Sequence, residues 1–372
     1  MKAKNRPSDG LTIGYFNTSL HADWSCRPWH GMQEKARQLG VGLVFFNCDQ
    51  LRKPHLASTP SNILCDLAGP DCIDALIVWK SSLGIFMEEP DFLTFLEGIS
   101  VPKVIIEGEI PGCPSVRMQN RQGMFQLTDH LIQRHGFTRL GFLGLSSNHQ
   151  GFQLRWEGFV EAHRKAGLEI DPAFVRRSLD LETENRDGKL QESITKDWLG
   201  FLVESGVQAL VCVNDQMAAE CLEGLRQLGK QSPGDMVVVG FDGFDFGAST
   251  RPALTTVNPD WEGMGSMALT MAVARAKGES CPDLAQIAAR LLVRRSCGCM
   301  PAGLEFFRTC SGPVSPGGLT KALGDRARLL EMPAPDTEAL AEAWLSPNDP
   351  RGDRFLAMLE SRLLATEGQP SA

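Results

Sequence analysis

The chain has no apolar run of about 18 residues, the length a membrane-spanning helix needs, so no transmembrane segment is expected. Its start, MKAKNRPSDG, is basic and polar, and the next apolar stretch, Leu11 to Phe16, is too short for a signal-peptide core. A cytoplasmic protein is the expectation. The 11 cysteines show no disulfide framework, which fits a reducing compartment where most act as small buried apolar residues. Positive charge is also short: 37 Lys plus Arg against 45 Asp plus Glu leave a net charge of −8. Such a balance argues against a chain that coats nucleic acid by charge alone, because that binding rests on Lys and Arg neutralising phosphates. Enzyme signatures are missing too. There is no GxxxxGK[ST] loop, no HExxH, no GxSxG elbow and no GxGxxG after the first apolar run. No nucleophile or metal motif accompanies the carboxylates that could do acid–base work, so the expectation is a non-enzyme without a cofactor.

What the sequence does contain is a rhythm. Apolar runs begin at Leu11 (LTIGYF), Val41 (VGLVFF), Ala75 (ALIVW), Lys103 (KVIIE), Arg139 (RLGFLGL), Ala209 (ALVCV) and Met236 (MVVVGF). Runs of this length suit strands of a parallel sheet buried on both faces. Between them lie segments with one apolar stripe, such as Met32, Ala36 and Leu39, or Met217, Cys221 and Leu225. Several of these segments end at a glycine: Gly40, Gly136, Gly167, Gly229 and Gly278. Strand, helix and strand in alternation predict right-handed βαβ units and an α/β fold. Seven such strands are too many for one small sheet, so two lobes are expected. From about Leu304 the pattern fails; TCSGPVSPGGL reads as a linker, with modest helical patches at 320–332 and 337–345.

Ligands of open α/β sheets bind beyond the carboxyl ends of the strands. Those ends carry Asn17 to Trp24 (with His21 and Asp23), Trp79 and Lys80, Ser146 to Asn148 and then Arg155, Asn214 and Asp215, and Asp242 and Asp245. Carboxylate and guanidinium groups bind vicinal hydroxyls bidentately, and an indole covers the apolar face of a sugar ring, so the set suits a polyhydroxylated molecule. Plainer roles compete: Asp215 reads as an N-cap, Asp242 as a turn former, and Trp24 and Trp261 as core aromatics. Cys297-Gly298-Cys299 could begin a metal site. With Cys281 and Cys310 the near cysteines and no second CxxC or HxxxH beside it, it reads as two reduced thiols and no metal is expected.

At these residues a resemblance becomes specific. VCVNDQMAAECLEGLRQLGKQSPGDMVVVGFDGFDFG, residues 211–247, resembles the signature of the lac/gal repressor family's effector-binding domain. TIGYFNTSLHADWSCRPWHGMQEKARQLG resembles that family's first strand and helix, and VRMQNRQGMFQLTDHLIQRHGFTRLGFLG its passage between lobes. LRWEGFVEAHRKAGLEI and ALTTVNPDWEGMGSMALTM match further segments in order, so that residues 11–299 are covered. The resemblance implies a periplasmic-binding-protein-like, type I fold: two Rossmann-like lobes with parallel sheets. It implies three crossovers, near residues 117–121, 247–255 and 285–291, hence a first lobe of about 11–118 plus 250–286 and a second of about 119–249 plus 287–299. It also implies that Arg155, Asn214 and Asp242 are polar effector contacts, and that the loop at His21 to Trp24, together with Trp261, forms the lid and stacking positions.

The family's N-terminal helix-turn-helix, about 60 residues with its hinge, has no counterpart ahead of Leu11, so no direct DNA binding by this chain alone is expected. LLVRRSCGC resembles the end of family sensors that precede a C-terminal output module, which makes an output domain or partner protein an expected associate, beside a second copy of the chain. The leading expectation is a sugar sensor of a transcriptional or signalling regulator, working by cleft closure. A transport binding protein and a purine or nucleoside sensor are the alternatives.

Overall fold

The computed structural model describes residues 10–20, 23–52, 60–146, 149–180 and 189–299. The linker and helical patches expected beyond Leu304 lie outside them.

The first lobe is a six-stranded sheet. Its strands are β1 (Thr12–Asn17), β2 (Gly42–Asn47), β3 (Ala75–Trp79), β4 (Lys103–Ile106), β5 (Ser115–Met118) and β11 (Leu284–Ile287). They run in the order β11-β5-β4-β3-β1-β2 with every pairing parallel. The central strand β3 is buried throughout, as a strand covered on both faces must be. β2 is the exception to the doubly buried reading: it forms the sheet edge, and its residues alternate in exposure. The helices of this lobe are α1 (Asp23–Leu39), the short α2 (Lys80–Leu83) and α3 (Glu89–Glu97).

The second lobe holds β6 (Leu140–Ser146), β7 (Val175–Asp180), β8 (Ala209–Cys212) and β9 (Val237–Val239) in the order β7-β6-β8-β9, again all parallel. Its helices are α4 (Asn120–His135), α5 (Gln150–Ala166), α6 (Lys189–Glu204) and α7 (Asp215–Gln227). Each lobe has its own core: Leu127, Phe142, Phe159, Val211 and Phe241 are fully buried in the second, Ile13, Ile77, Val104 and Met264 in the first.

The strand–helix alternation fixes where the cleft opens, because every parallel strand of a lobe points its carboxyl end the same way. Gly40, Gly136, Gly167, Gly229 and Gly278 all adopt positive φ between 66° and 74°, the left-handed conformation that stops a helix and turns the chain into the next strand. Leu39, expected in the apolar stripe of α1, is exposed; Met32 and Ala36 carry that face.

The chain passes from β5 into α4 at Gln119. The crossover expected at 247–255 falls later. Thr255 bridges to Val239 of β9, and β10 (Thr256–Pro259) pairs antiparallel with β12 (Ala289–Leu292), so residues 250–259 stay with the second lobe. The chain returns to the first lobe at α8 (Trp261–Ala276), whose buried face joins the first-lobe core. It crosses again between β11 and β12. On return, α8 lies against α1 so closely that a Cβ on Gly265 would sit 1.9 Å from the Pro28 carbonyl oxygen, and one on Gly31 would sit 2.0 Å from that of Glu262. Glycine at both contacts lets the two helix backbones touch.

Candidate functional site

A cavity of about 520 Å³ opens between the carboxyl ends of the two sheets. Of the site residues read from the sequence, Trp24, Trp79, Arg155, Asn214, Asp242 and Trp261 all line it. His21 and the side chain of Asp23 lie outside the described residues, as do Ser147 and Asn148. Lys80 faces a neighbouring hollow, where its ammonium donates to the Glu109 carbonyl at 2.9 Å and stands 3.7 Å from Glu89.

Arg155 is the hub of the second-lobe wall. It sits in the second turn of α5 and is 2% exposed. Its Nε donates to Asn120 Oδ1 at 2.8 Å, its Nη1 to the Val213 carbonyl at 2.7 Å, and its Nη2 lies 2.9 Å from Asp242 Oδ1. The guanidinium also lies 3.8 Å above the Phe241 ring. A charge buried this deeply is tolerable because it is paired and hydrogen-bonded on every edge the protein reaches.

Asp242 follows Phe241 in the loop after β9 and takes φ +119°, a conformation a side chain rarely adopts. The following Gly243 is also left-handed. Burial pushes the Asp242 carboxyl up to about 6, against the pull of Arg155. Asp215 holds this loop in place. The sequence suggested that it caps α7, but the cap is Asn214, whose Oδ1 accepts from the Met217 N–H at 2.9 Å. Asp215 is the first helical residue and turns inward. Its Oδ2 accepts from the Phe244 N–H at 2.9 Å and its Oδ1 from the Thr256 hydroxyl at 2.5 Å. Burial first, and the nearby Asp242 second, push its carboxyl up to about 8. Since Asn214 Oδ1 is spent on the cap, its amide nitrogen is the group it offers the cavity.

The first-lobe wall is aromatic. Trp79 ends β3 and packs edge-on against Trp24 at 5.5 Å between ring centroids, and near-parallel to Trp261 at 6.3 Å. Phe244 continues the stack 5.9 Å from Trp261, reaching from the second lobe into the first-lobe core. The Trp261 indole N–H donates to the Asp242 carbonyl at 2.7 Å, so one hydrogen bond ties the aromatic wall to the polar one. Trp79 and Trp261 are thus core residues and cavity lining at once.

Three polar features were not singled out in the sequence. Glu107 follows β4 with φ +50° and is 5% exposed. Its oxygens accept from the Met118 N–H at 2.5 Å and the Asn120 amide at 3.0 Å, while burial raises its pKa. Its place after KVIIE was the available signal. Glu107 and Arg155 thus grip Asn120 from opposite lobes, at the point where the chain crosses between them. His149 caps α5, its Nδ1 accepting from the Phe152 N–H at 3.4 Å and its ring stacked 4.1 Å from Phe152. Burial, then Arg155, push its imidazole down to about 3, so it lines the cleft as a neutral ring. Ser81 and Ser82 add hydroxyls, Ser81 Oγ already accepting from the Trp79 indole at 2.9 Å.

This wall-to-wall arrangement can grip a small neutral molecule by hydrogen bonds on one face and ring contact on the other. As a pair of acids it is poorly disposed, because both Asp215 oxygens are engaged inside the protein.

Residues 128–297 match the model of the periplasmic binding protein-like domain. The arabinose metabolism transcriptional repressor of Geobacillus stearothermophilus is 33% identical over 292 residues, covering 77% of each chain. The chain belongs to the LacI family of transcriptional regulators. Solved structures agree on the fold. A LacI family regulator from Enterococcus faecium with bound ribose aligns with TM-score 0.60 at 18% identity, covering 77% of this chain and 98% of that one. The transcriptional regulator CelR in complex with cellobiose aligns with TM-score 0.62 at 23% identity, covering 77% and 84%. The described region of this LacI-family chain is therefore its effector-binding domain. Among the described residues no helix is long and apolar enough to cross a membrane.

Proposed function

We propose that this LacI-family domain senses a sugar or a sugar-like polyol, binding it without making or breaking a covalent bond. The observation that carries the reading is the pairing of Arg155 and Asp242 opposite the Trp24–Trp79–Trp261 wall, across one cavity. Adjacent hydroxyls need both donors and acceptors. The guanidinium and the Asn214 amide supply donors, and the Asp242 and Glu107 carboxyl groups supply acceptors. The C–H face of a pyranose or furanose needs an apolar plate, which the indoles supply. The relatives are in keeping with this: one is named for arabinose metabolism, and two structural neighbours hold ribose and cellobiose.

Because Arg155, Asn214 and Asp242 belong to the second lobe and the aromatic wall with Glu107 to the first, a ligand that touches both favours the closed arrangement. That population shift is the signal passed to transcription. The test is a thermal-shift screen of the full chain against pentoses, hexoses, disaccharides, polyols and nucleobases. A ligand at a hundredfold excess over its Kd adds about 2.7 kcal/mol of stability, well within detection. At least one sugar should raise the Tm, and Asp242→Asn should abolish the rise. Stabilisation by a nucleobase and by no sugar would replace the ligand class.

A further inference from the structure

Four side chains far apart in sequence meet at the opposite end of α4 from Asn120. His130 and His135 stand in the last turns of that helix. Cys297 closes the 3-10 turn Arg295–Cys297. Cys299 follows beyond Gly298, whose φ of +84° turns the chain back and brings the second thiol beside the first. Cys299 Sγ lies 3.2 Å from His135 Nε2 and 3.6 Å from His130 Nε2, and Cys297 Sγ lies 3.8 Å from His130 Nε2. The four atoms all fall within 4.8 Å of one another. Cys297 is buried and the other three are half-buried.

Pairwise hydrogen bonding satisfies such groups two at a time. Here Cys299 faces both imidazoles and His130 faces both thiols, so the groups converge on a common point. Zinc bonds of about 2.3 Å to sulfur and about 2.0–2.1 Å to nitrogen, set at tetrahedral angles, place sulfur and nitrogen ligands about 3.6 Å apart. The three sulfur–nitrogen separations, 3.2, 3.6 and 3.8 Å, bracket that edge. Two thiolates and two imidazoles are the donor set that favours zinc over the hard cations, which prefer oxygen.

We propose that His130, His135, Cys297 and Cys299 form a structural site for a Zn²⁺ ion. Four protein ligands complete the tetrahedron and leave no open position for chemistry. The ion joins the segment leaving β12 to α4, the helix whose first residue, Asn120, bonds Arg155 and Glu107 at the cleft. The paired thiols are thereby ligands, and the second pair that the CxC lacked in sequence is supplied by a helix more than 160 residues earlier.

The test uses the full chain, purified reduced, stripped with a chelator and titrated with Co²⁺ or Zn²⁺. Binding should be stoichiometric, with the thiolate-to-cobalt charge-transfer absorption of a tetrahedral site, and Zn²⁺ should displace the Co²⁺ and raise the Tm. Cys299→Ser and His135→Ala should each weaken binding by more than about a hundredfold, since even a supporting residue outside the ligand shell is worth 10- to 100-fold. Cys281→Ser, outside the cluster, should bind as the unaltered chain does. Far-UV circular dichroism checks that each variant is folded; where one is not, the spectrum and stoichiometry of the unaltered chain decide. No stoichiometric binding by the reduced unaltered chain, or unchanged binding in folded Cys299→Ser and His135→Ala, would overturn the site.

Discussion

On the first-lobe side of the cleft, Trp24, Trp79 and Trp261 come from three separate segments and meet only through ring faces and edges. On the second-lobe side, Arg155 and Asp242 bond each other, and Asp215 and Asn214 are each held by hydrogen bonds to a fixed partner in the surrounding backbone or Thr256. The difference teaches where the site can tolerate change. Ring contacts are non-directional and shared among neighbours, so trimming one at the cavity rim loses area and little else. A buried polar network has no such slack, because removing one member strands the others in a low dielectric. The second wall should therefore govern both folding and binding, whereas in the first Trp79 and Trp261 also carry the core and the rim residue Trp24 serves mainly binding.

The sharpest way to break that contrast is Arg155→Ala. It leaves the Asp242 carboxylate, the Asn120 carbonyl and the Val213 carbonyl without their donor, and should lower the unfolding free energy in urea by about 3–5 kcal/mol. Next comes Asp215→Asn, read through pH. The Asp215 pKa stands near 8 in the folded chain against an unfolded value of 3.8. The native state therefore holds its proton longer than the unfolded one. That contribution is complete below the unfolded value and is lost as pH rises toward 8, at a slope of at most ~1.4 kcal/mol per pH unit. Asparagine keeps the shape, with its oxygen on the Phe244 N–H and its nitrogen toward Thr256. Urea melts from pH 5 to 8 should thus show a shallower loss in the variant than in the parent; equal slopes would remove Asp215 from the account. Asn214→Ala removes the cap of α7 and should cost about 1 kcal/mol in the same assay. Trp24→Ala should change stability least, by under about 1 kcal/mol, while weakening ligand binding about tenfold in calorimetric titration. If Trp24→Ala destabilises as much as Arg155→Ala, the contrast between the walls is wrong.

The fold was legible because its signals are local. Runs such as ALIVW and ALVCV are apolar without a break, as doubly covered strands must be, and five glycines mark helix ends by position alone. The site was legible where the topology rule applies: strand ends point to the cleft, and six of the chosen residues line it. What stayed hidden depends on contacts between distant segments. Asp215 reads as a cap in sequence because capping is judged over three residues; only Thr256 and Phe244, brought in from β10 and the loop after β9, show why it turns inward. Likewise the second crossover reads early, because the pairing of β10 with β12 links residues 256 and 292, beyond any local pattern. Glu107 hides as the last letter of an apolar run. The histidine pair hides because its cysteine partners lie at the far end of the domain.

The measurement that bears most directly on the central claim is a crystal structure of the chain with the sugar that raises its Tm most. The account predicts one molecule in the cleft, hydroxyls within hydrogen-bond distance of Arg155 or Asp242, a ring face against Trp24, Trp79 or Trp261, and both lobes in contact. A sugar held by one lobe alone, or bound outside this cavity, would contradict it.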